Sequence, residues 1–195
     1  MKRAFDIAAS TIGLLILSPL FAIMAIWIKT DSEGPVFYKQ VRVGRGNKDF
    51  KIFKFRSMKV GADKGSLISI GNEEQRVTRP GKFIRKYKLD EFPQLINVLI
   101  GDMSFVGPRP EVRHYVNYWT EEQMEVLNIR PGITDPASIR FRNESEILGK
   151  VDDPEKYYIE NVMQEKLAMN LEYIRHNTIW NDIKIIFKTF SAILD

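Results

Sequence analysis

The sequence predicts an α+β fold that is mostly helical, with an N-terminal apolar helix, a small β-hairpin and several amphipathic helices. Three observations lead to this prediction. An uncharged run of 22 residues fills positions 7–28, alternating residues flank the turn-rich GRGNKD at 44–49, and helical spacing recurs in the second half. With 195 residues, the chain is long enough for one domain with a buried core.

The uncharged run is long enough to enter a membrane. A cleaved signal peptide is disfavoured because the run is long and lacks a small-x-small cleavage site. Pro19 removes a backbone donor, so we expect a kink or break at Ser18-Pro19. Lys2, Arg3 and the basic block after the run favour the cytosolic side, and we expect Asp6 to pair with Lys2 or Arg3. Re-entry into one leaflet and a kinked span both remain open.

Residues 35–58 predict the β-hairpin. In its second strand the two-residue period places Lys54 and Arg56 on one face, opposite Phe53 and Phe55. This basic face is interpreted either as a solvated strand face or as a cradle for phosphate. Between positions 34 and 59, eight Lys and Arg residues stand against the single acid Asp49, in a chain of net charge +4. This excess predicts an anionic partner.

The rest of the chain predicts further helices, at 80–87, 90–100 and 153–176, after a polar loop at 60–78. A capping box from Thr120 to Gln123 begins another helix. A C-terminal helix places seven apolar residues on one face: Ile179, Ile183, Ile186, Phe187, Phe190, Ile193 and Leu194. That face is interpreted either as core packing or as an in-plane membrane contact.

Two adjacent carboxylates, Asp90 and Glu91, precede the apolar helix at 90–100. The chain has no cysteine and only two histidines, which excludes thiolate zinc sites and multi-histidine centres and leaves a hard cation such as Mg²⁺. Asp90 is interpreted either as a helix N-cap or as an ionised nucleophile or magnesium ligand. Arg109, locked between Pro108 and Pro110, has the planar fork that grips phosphate.

Seven stretches of the chain resemble the bacterial sugar transferases, the small monotopic phosphoglycosyl transferases. They are KRAFDI, SP within the apolar run, QVRVG, FKIFKFRSM, GKFIRKYKLDEFPQLINVLIGDMSFVGPRPE, RPGIT and FRNE. They occur in the family's order and cover nearly the whole chain from Lys2.

The resemblance implies transfer of a sugar 1-phosphate from a UDP-sugar to undecaprenyl phosphate, with release of UMP, at the cytoplasmic face of the bacterial inner membrane. It implies that Asp90 is the nucleophile of a covalent phosphosugar intermediate and that Asp90 and Glu91 hold Mg²⁺. Five basic residues match positions that contact donor phosphates or order the site: Lys54, Arg56, Arg85, Arg109 and Arg142. Residues 1–30 are then a re-entrant anchor broken at Ser18-Pro19, and residues 31–195 form one catalytic domain.

One stretch departs from the family pattern. After RPGIT the chain has Asp135-Pro136-Ala137-Ser138, where many members have glycine and a different continuation, so we expect this region to influence sugar selectivity. The chain also lacks the extra N-terminal membrane helices of larger relatives, and we expect it to be the minimal catalytic unit. Membrane lipids are expected partners. A nucleic-acid binder is disfavoured because it would explain the basic blocks but not the carboxylate pair or Arg109.

Overall fold

The computed structural model describes residues 1–62 and 76–194, and most of them are helical. Most of the predicted loop at 60–78 lies outside the described residues. The helices are α1 (Lys2–Asp31), α2 (Arg79–Lys86), α3 (Gln94–Ile100), α4 (Arg113–Val116), α5 (Glu121–Met124), α6 (Pro136–Arg140), α7 (Glu144–Leu148), α8 (Pro154–Tyr157), α9 (Met163–Arg175) and α10 (Ile179–Leu194). The strands are β1 (Phe37–Val43), β2 (Asp49–Phe55), β3 (Ser104–Val106) and β4 (Gly132–Thr134).

The predicted hairpin is confirmed, because β1 and β2 pair antiparallel from Phe37 opposite Phe55 to Val43 opposite Asp49. A second pair was not predicted: β3 and β4 run parallel, with Ser104 opposite Gly132. Each of these strands has only three residues, too few for the two-residue period to be recognised in the sequence.

The N-terminal helix α1 continues through Ser18 and Pro19, so the chain does not leave helical structure there, and the expected kink stays a prediction. Pro19 has no N–H for the carbonyl of Leu15, one turn earlier. The Ser18 hydroxyl donates to that carbonyl at 2.8 Å and so replaces the missing donor. Re-entry concerns the path of this helix through a bilayer and stays a prediction.

One stripe of α1 packs on the rest of the protein along the whole helix. At its first half, Phe5 contacts Phe105 edge-on; at its second half, Met24 and Ile28 are buried in a cluster with Phe55 and Ile84. An 18-residue window of this helix has a mean hydropathy of 2.3, yet only 11% of it is buried inside the protein. The helix is therefore long and apolar enough to cross a membrane, and little of its surface is covered by the rest of the protein.

The charged N-terminus of α1 is tied into the protein, which corrects the expected pairing of Asp6 with Lys2 or Arg3. Asp6 is 2% exposed and accepts from the Ser104 hydroxyl at 3.1 Å and the Phe105 N–H at 3.2 Å. The Lys2 ammonium instead donates to Asp182 of α10 at 2.6 Å.

The C-terminal half contains the predicted helices, and a π-helical turn interrupts one of them. The predicted helix at 153–176 is present as α8, a π-helical turn (Tyr158–Val162) and α9. The capping box of Thr120 and Gln123 is confirmed.

Helix α10 packs on the core mainly through a side that was not the predicted apolar face, and a membrane contact of the predicted face stays a prediction. Ile185 is 5% exposed in the core, whereas Trp180, Phe187 and Phe190 are each more than 60% exposed. The side chains of the last predicted members of the face, Ile193 and Leu194, lie outside the described set.

Candidate active site

The two carboxylates lie on a single 3₁₀ turn, Leu89–Glu91, that follows α2 and leads into α3. Lys88 begins this turn in the left-handed region, with φ 55°, and Pro93 precedes α3 without a side-chain cap. Asp90 therefore caps neither element, and its interpretation as a helix N-cap is wrong. The residue is half-buried at the edge of the domain, where its carboxylate is available for chemistry.

Helix α3 is fastened to the hairpin strand β2 by the fully buried Asn97. Its side-chain oxygen accepts from the Phe53 N–H at 2.9 Å, and its amide nitrogen donates to the Lys51 carbonyl at 2.8 Å. Through these two bonds the Asn97 side chain takes the place of a neighbouring strand at the edge of β2. They set the carboxylate turn beside the end of β2, where Lys54 lies.

Three charged side chains, Lys54, Glu91 and Arg109, form what we call the Glu91 cluster. Arg109 holds Glu91 with a bidentate fork, in which Nη1 donates to Oε2 at 3.1 Å and Nη2 donates to Oε1. The Lys54 ammonium donates to Oε1 at 3.1 Å. Both carboxylate oxygens of Glu91 are thus occupied by cations.

The electrostatics of the cluster favour an ionised Glu91. Burial opposes its charge, but the charges of Arg109 and Lys54 and their hydrogen bonds outweigh burial and hold its pKa well below the usual range. Glu91 in turn raises the pKa of Arg109 against the effect of burial. Burial lowers the pKa of Lys54, and the charge of Glu91 opposes this shift.

Asp90 is in the opposite situation. Burial raises its pKa, Lys54 lowers it in part, the neighbouring charge of Glu91 raises it further and Arg85 lowers it. Within the described ranges, Glu91 has two ion pairs and Asp90 has none. The site therefore holds one saturated carboxylate and one that is poorly compensated, next to each other and facing the same cations.

The loop that carries Arg109 is held by close backbone contact and by a buried network. Gly107 and Gly132 approach so closely that a Cβ on Gly132 would lie 2.1 Å from the Gly107 nitrogen. Arg42 donates to the Pro110 carbonyl at 3.2 Å and to Glu111 at 3.1 Å. This support was not predicted residue by residue, although Arg42 lies in QVRVG and Glu111 in VGPRPE.

Lys54 and Arg109 bond to Glu91, and the charge of Arg85 acts on Asp90, whereas Arg56 lies elsewhere, which corrects its expected place beside Lys54. The contacts of these residues with donor phosphates stay a prediction. The Arg56 side chain is 4% exposed and donates to the carbonyls of Ser32 at 2.7 Å, Ile28 at 3.2 Å and Glu33. The end of a helix leaves carbonyls unpaired and carries partial negative charge, and a buried guanidinium satisfies both.

Arg142 donates to the Ala192 carbonyl, at 3.3 Å, near the end of α10. Its contact with a donor phosphate stays a prediction.

The carboxylate pair fits a magnesium ion that is completed by substrate. Mg²⁺ in phosphate-transfer sites binds one or two carboxylates and otherwise phosphate and water oxygens. Asp90 offers an oxygen ligand without an ion pair, and Glu91 offers one if a cation releases it. Over residues 1–62 and 76–194, no group of three or more His, Cys, Asp or Glu forms a complete cage.

The stretch that departs from the family pattern has a local structural role. Asp135 is fully buried and caps α6, accepting from the Ser138 N–H at 2.9 Å and the Ser138 hydroxyl at 2.7 Å. Asp135 also raises the pKa of Arg109, which places it in the electrostatic surroundings of the Glu91 cluster. Its influence on sugar selectivity stays a prediction.

Comparisons with known proteins give one consistent result. Residues 1–195 match the model of the family described as bacterial sugar transferase. The chain is 40% identical over its full length to an Aeromonas hydrophila protein named UDP-N-acetylgalactosamine-undecaprenyl-phosphate N-acetylgalactosaminephosphotransferase, of which it covers 44%. It is 41% identical over 97% of its length to the Escherichia coli (strain K12) UDP-glucose:undecaprenyl-phosphate glucose-1-phosphate transferase, of which it covers 39%.

A third relative carries a different sugar in its name. The undecaprenyl-phosphate galactose phosphotransferase of Salmonella typhimurium (strain LT2) is 36% identical over 100% of the chain, which covers 40% of that protein. The chain thus spans less than half the length of these three relatives.

Proposed function

The chain belongs to the bacterial sugar transferase family, and we propose that it transfers a sugar 1-phosphate from a UDP-sugar to undecaprenyl phosphate, releasing UMP. The observation that carries this proposal is the asymmetry of the carboxylate pair. Asp90 has no ion pair in the described part of the chain, beside a Glu91 that is held by Arg109 and Lys54. The three relatives differ in the sugar of their names, so we propose the class of donor only.

In the first step, an Asp90 oxygen attacks the phosphorus that carries the sugar. A new bond forms between that oxygen and phosphorus, the bond from phosphorus to the bridging diphosphate oxygen breaks, and UMP leaves with that oxygen. A poorly compensated carboxylate suits this task, because its charge is not stabilised by ion pairs that the reaction would have to break.

Arg109, Lys54 and Arg85 bind the diphosphate and stabilise the charge that develops on UMP. The planar fork of Arg109 matches two phosphate oxygens, and it reaches them by releasing part of its hold on Glu91. Glu91, released in turn, would hold Mg²⁺ together with Asp90. When bound there, the ion neutralises the diphosphate and makes UMP a better leaving group.

In the second step, an oxygen of undecaprenyl phosphate attacks the same phosphorus. The bond to the Asp90 oxygen breaks, the carboxylate is restored, and the product is a sugar linked to the lipid through a diphosphate. Both steps use one set of cations, which is the advantage of dividing a transfer between two bulky anions.

We also propose that the protein is monotopic, on the cytoplasmic face of the inner membrane. Both ends of α1 contact one folded unit, Lys2 through Asp182 and Ile28 through the cluster with Phe55. A straight span would carry one of these contacts to the far side of the bilayer. Re-entry into one leaflet keeps both, and the exposed Trp180, Phe187 and Phe190 of α10 would lie at the same interface.

The reaction is tested by incubating the protein in nanodiscs with Mg²⁺, undecaprenyl phosphate and a panel of UDP-sugars. We expect release of UMP from at least one of them and, without acceptor, a phosphosugar adduct that mass spectrometry maps to Asp90. Asp90→Asn keeps the shape and should abolish both. Turnover by Asp90→Asn, or an adduct elsewhere, would replace the covalent scheme with direct transfer.

The topology is tested by single cysteines at two exposed positions, Ala4 and Asp31, in a chain that has no cysteine of its own. We expect an impermeant thiol reagent to label both from the cytoplasmic side. Labelling from opposite sides would show that α1 spans the bilayer.

A further inference from the structure

The amide of Gln94 is buried beside the candidate active site without a hydrogen-bond partner. The residue is 0% exposed, and within the described ranges neither its Oε1 nor its Nε2 has a partner. A buried, unsatisfied polar group costs about 1–3 kcal/mol, so a native protein that retains one usually has a use for it.

The backbone places Gln94 three residues, about one turn, after Glu91. The Phe92 N–H donates to Leu89, and the Leu95 N–H donates to Phe92, both between residues three apart. In such 3₁₀-like winding the side chains of residues i and i+3 eclipse each other. Gln94 is residue i+3 to Glu91, and helical side chains lean toward the N-terminus, onto that neighbour.

The neighbours of Gln94 along α3 confirm the side on which it lies. Asn97, one turn later, bonds to Lys51 and Phe53 of β2, while Glu91, one turn earlier, bonds to Lys54 of the same strand. Gln94 lies between these two contacts on one face, and so it faces β2 beneath the Glu91 cluster. Glu91 is thus the charged residue one turn from Gln94 on the side that faces β2.

Oε1 of Glu91 accepts from Arg109 and Lys54, Oε2 accepts only from Arg109, and the Gln94 amide bonds to neither oxygen. The proposed function requires Arg109 to move from Glu91 to the donor diphosphate. That exchange leaves a Glu91 oxygen without a donor in a partly buried place, where such a loss is costly.

We propose that Gln94 is a positioning residue, whose Nε2–H donates to Glu91 when Arg109 turns to the donor. The inference rests on the proposed function, because the exchange has no purpose without a diphosphate ligand. The amide then fixes the orientation of Glu91 toward the metal while the cations are engaged elsewhere. In the ligand-free protein the amide has no partner in the described ranges, which lowers the free energy of unfolding.

The test is Gln94→Met, which keeps the size and removes the amide. We expect the ligand-free protein, unfolded by heat in EDTA, to have a Tm equal to or above that of the wild type, because no bond is lost. We expect its turnover to fall at least tenfold and the Mg²⁺ concentration for half-maximal activity to rise at least threefold. A purely structural residue would move Tm and leave the magnesium requirement unchanged.

Leu95→Met is the matched control, since it alters the next buried side chain of α3 without touching an amide. It should keep turnover within twofold, and Gln94→Leu should repeat the effect of Gln94→Met. A ligand-free Tm several degrees lower in both Gln94 variants would mean that the amide already has a partner, such as a buried water, and would overturn the proposal. Turnover within twofold of wild type in Gln94→Met would overturn it too.

The same experiment separates this inference from the proposed function. If the wild type itself transfers nothing from any UDP-sugar, the proposed function fails and the role of Gln94 with it. If the wild type is active and the Gln94 variants have the same turnover and magnesium requirement, the role of Gln94 is refuted and the proposed function stands.

Discussion

Lys54 and Arg56 stand two residues apart, at the end of one strand, but they serve two different regions. Lys54 belongs to the Glu91 cluster, where its partner is a charged side chain at the surface of a site. Arg56 forms what we call the helix junction, where its partners are the carbonyls of Ile28, Ser32 and Glu33 at the end of α1. In the proposed mechanism the donor competes for the partner of Lys54, whereas the partners of Arg56 are backbone carbonyls.

This difference predicts two kinds of variant. Changes in the Glu91 cluster should affect turnover and ligand binding, because its ion pairs exchange with substrate in the proposed mechanism. Changes at the helix junction should affect unfolding, because its bonds join α1 to the hairpin. Gly34 supports the second role: its φ is 120°, and a Cβ there would lie 2.2 Å from the Arg56 guanidinium. The chain therefore keeps space for this arginine at the junction.

Among variants that keep the proposed nucleophile, the largest expected effect comes from Glu91→Gln. Loss of a preorganised charge in an active site typically costs on the order of 10²-fold in turnover, and we expect a loss of that size with a weakened dependence on Mg²⁺. In EDTA the same variant should bind UDP more tightly than the wild type, because Arg109 and Lys54 lose their internal partner. Isothermal titration of UDP in EDTA measures this gain.

Asp90→Asn is the control for Glu91→Gln, since it removes the same charge but leaves the bonds of Glu91 intact. Its gain in metal-free UDP affinity should be clearly smaller. Equal gains in both variants would show that only net charge matters and that the ion pairs do not compete with the ligand.

Arg109→Lys is expected to have the next largest effect. It keeps the charge but loses the bidentate fork, so turnover should fall at least tenfold, equivalent to about 1.4 kcal/mol. Arg113→Lys is a suitable comparison, because Arg113 is a half-buried arginine that pairs with Asp49 on the hairpin. A turnover of Arg109→Lys equal to that of the wild type would contradict the bidentate role.

Arg56→Met should reverse the pattern. Hydrogen bonds from a charged group contribute about 1.5–3 kcal/mol each, and 1 kcal/mol shifts the Tm of a domain of this size by roughly 2–4 °C. We expect the ligand-free Tm to fall by about 5 °C or more, while turnover per folded molecule stays within twofold of the wild type. Lost turnover without lost stability would return Arg56 to the substrate site, where the sequence first placed it.

The sequence predicted what depends on local periodicity and missed what depends on partners. The hairpin, α2 and the long helix after residue 153 follow from the spacing of apolar residues and from capping residues. Strand periodicity put Lys54 and Arg56 on one face of the strand. It does not show which other element of the protein contacts each of these two side chains. The end of α1 covers Arg56, and this contact joins positions 28 apart in the chain.

The candidate site was predicted from motif residues, and the structure added the relations among them. Asp90, Glu91, Lys54 and Arg109 do come together, but no pattern in the sequence shows that Arg109 and Lys54 hold Glu91 and leave Asp90 unpaired. Asp90 as a helix cap was a wrong alternative because a 3₁₀ turn and Pro93 intervene before α3. Such details depend on tertiary contacts between segments far apart in sequence.

The smallest expected effect concerns pH, and it separates Asp90 from Glu91. Burial raises the pKa of Asp90 in the folded protein, so its charge destabilises the fold at neutral pH, and this penalty is relieved as pH falls through the raised pKa. The pKa of Glu91 is lowered in the folded protein despite burial, by Arg109 and Lys54. The contribution of Glu91 to stability is therefore present above its unfolded pKa and is lost as pH falls below that value.

In EDTA, Asp90→Asn should raise Tm at neutral pH, by an amount that vanishes on acidification. Glu91→Gln should lower Tm at neutral pH, by an amount that shrinks below a pH of about 4, the range of an unfolded glutamate. Arg56→Met should lower Tm by a similar amount across this pH range, because its partners are carbonyls that do not titrate. Shifts of the same sign for the two carboxylate variants would show that the carboxylates share their partners equally, and the asymmetry on which the proposed nucleophile depends would be lost.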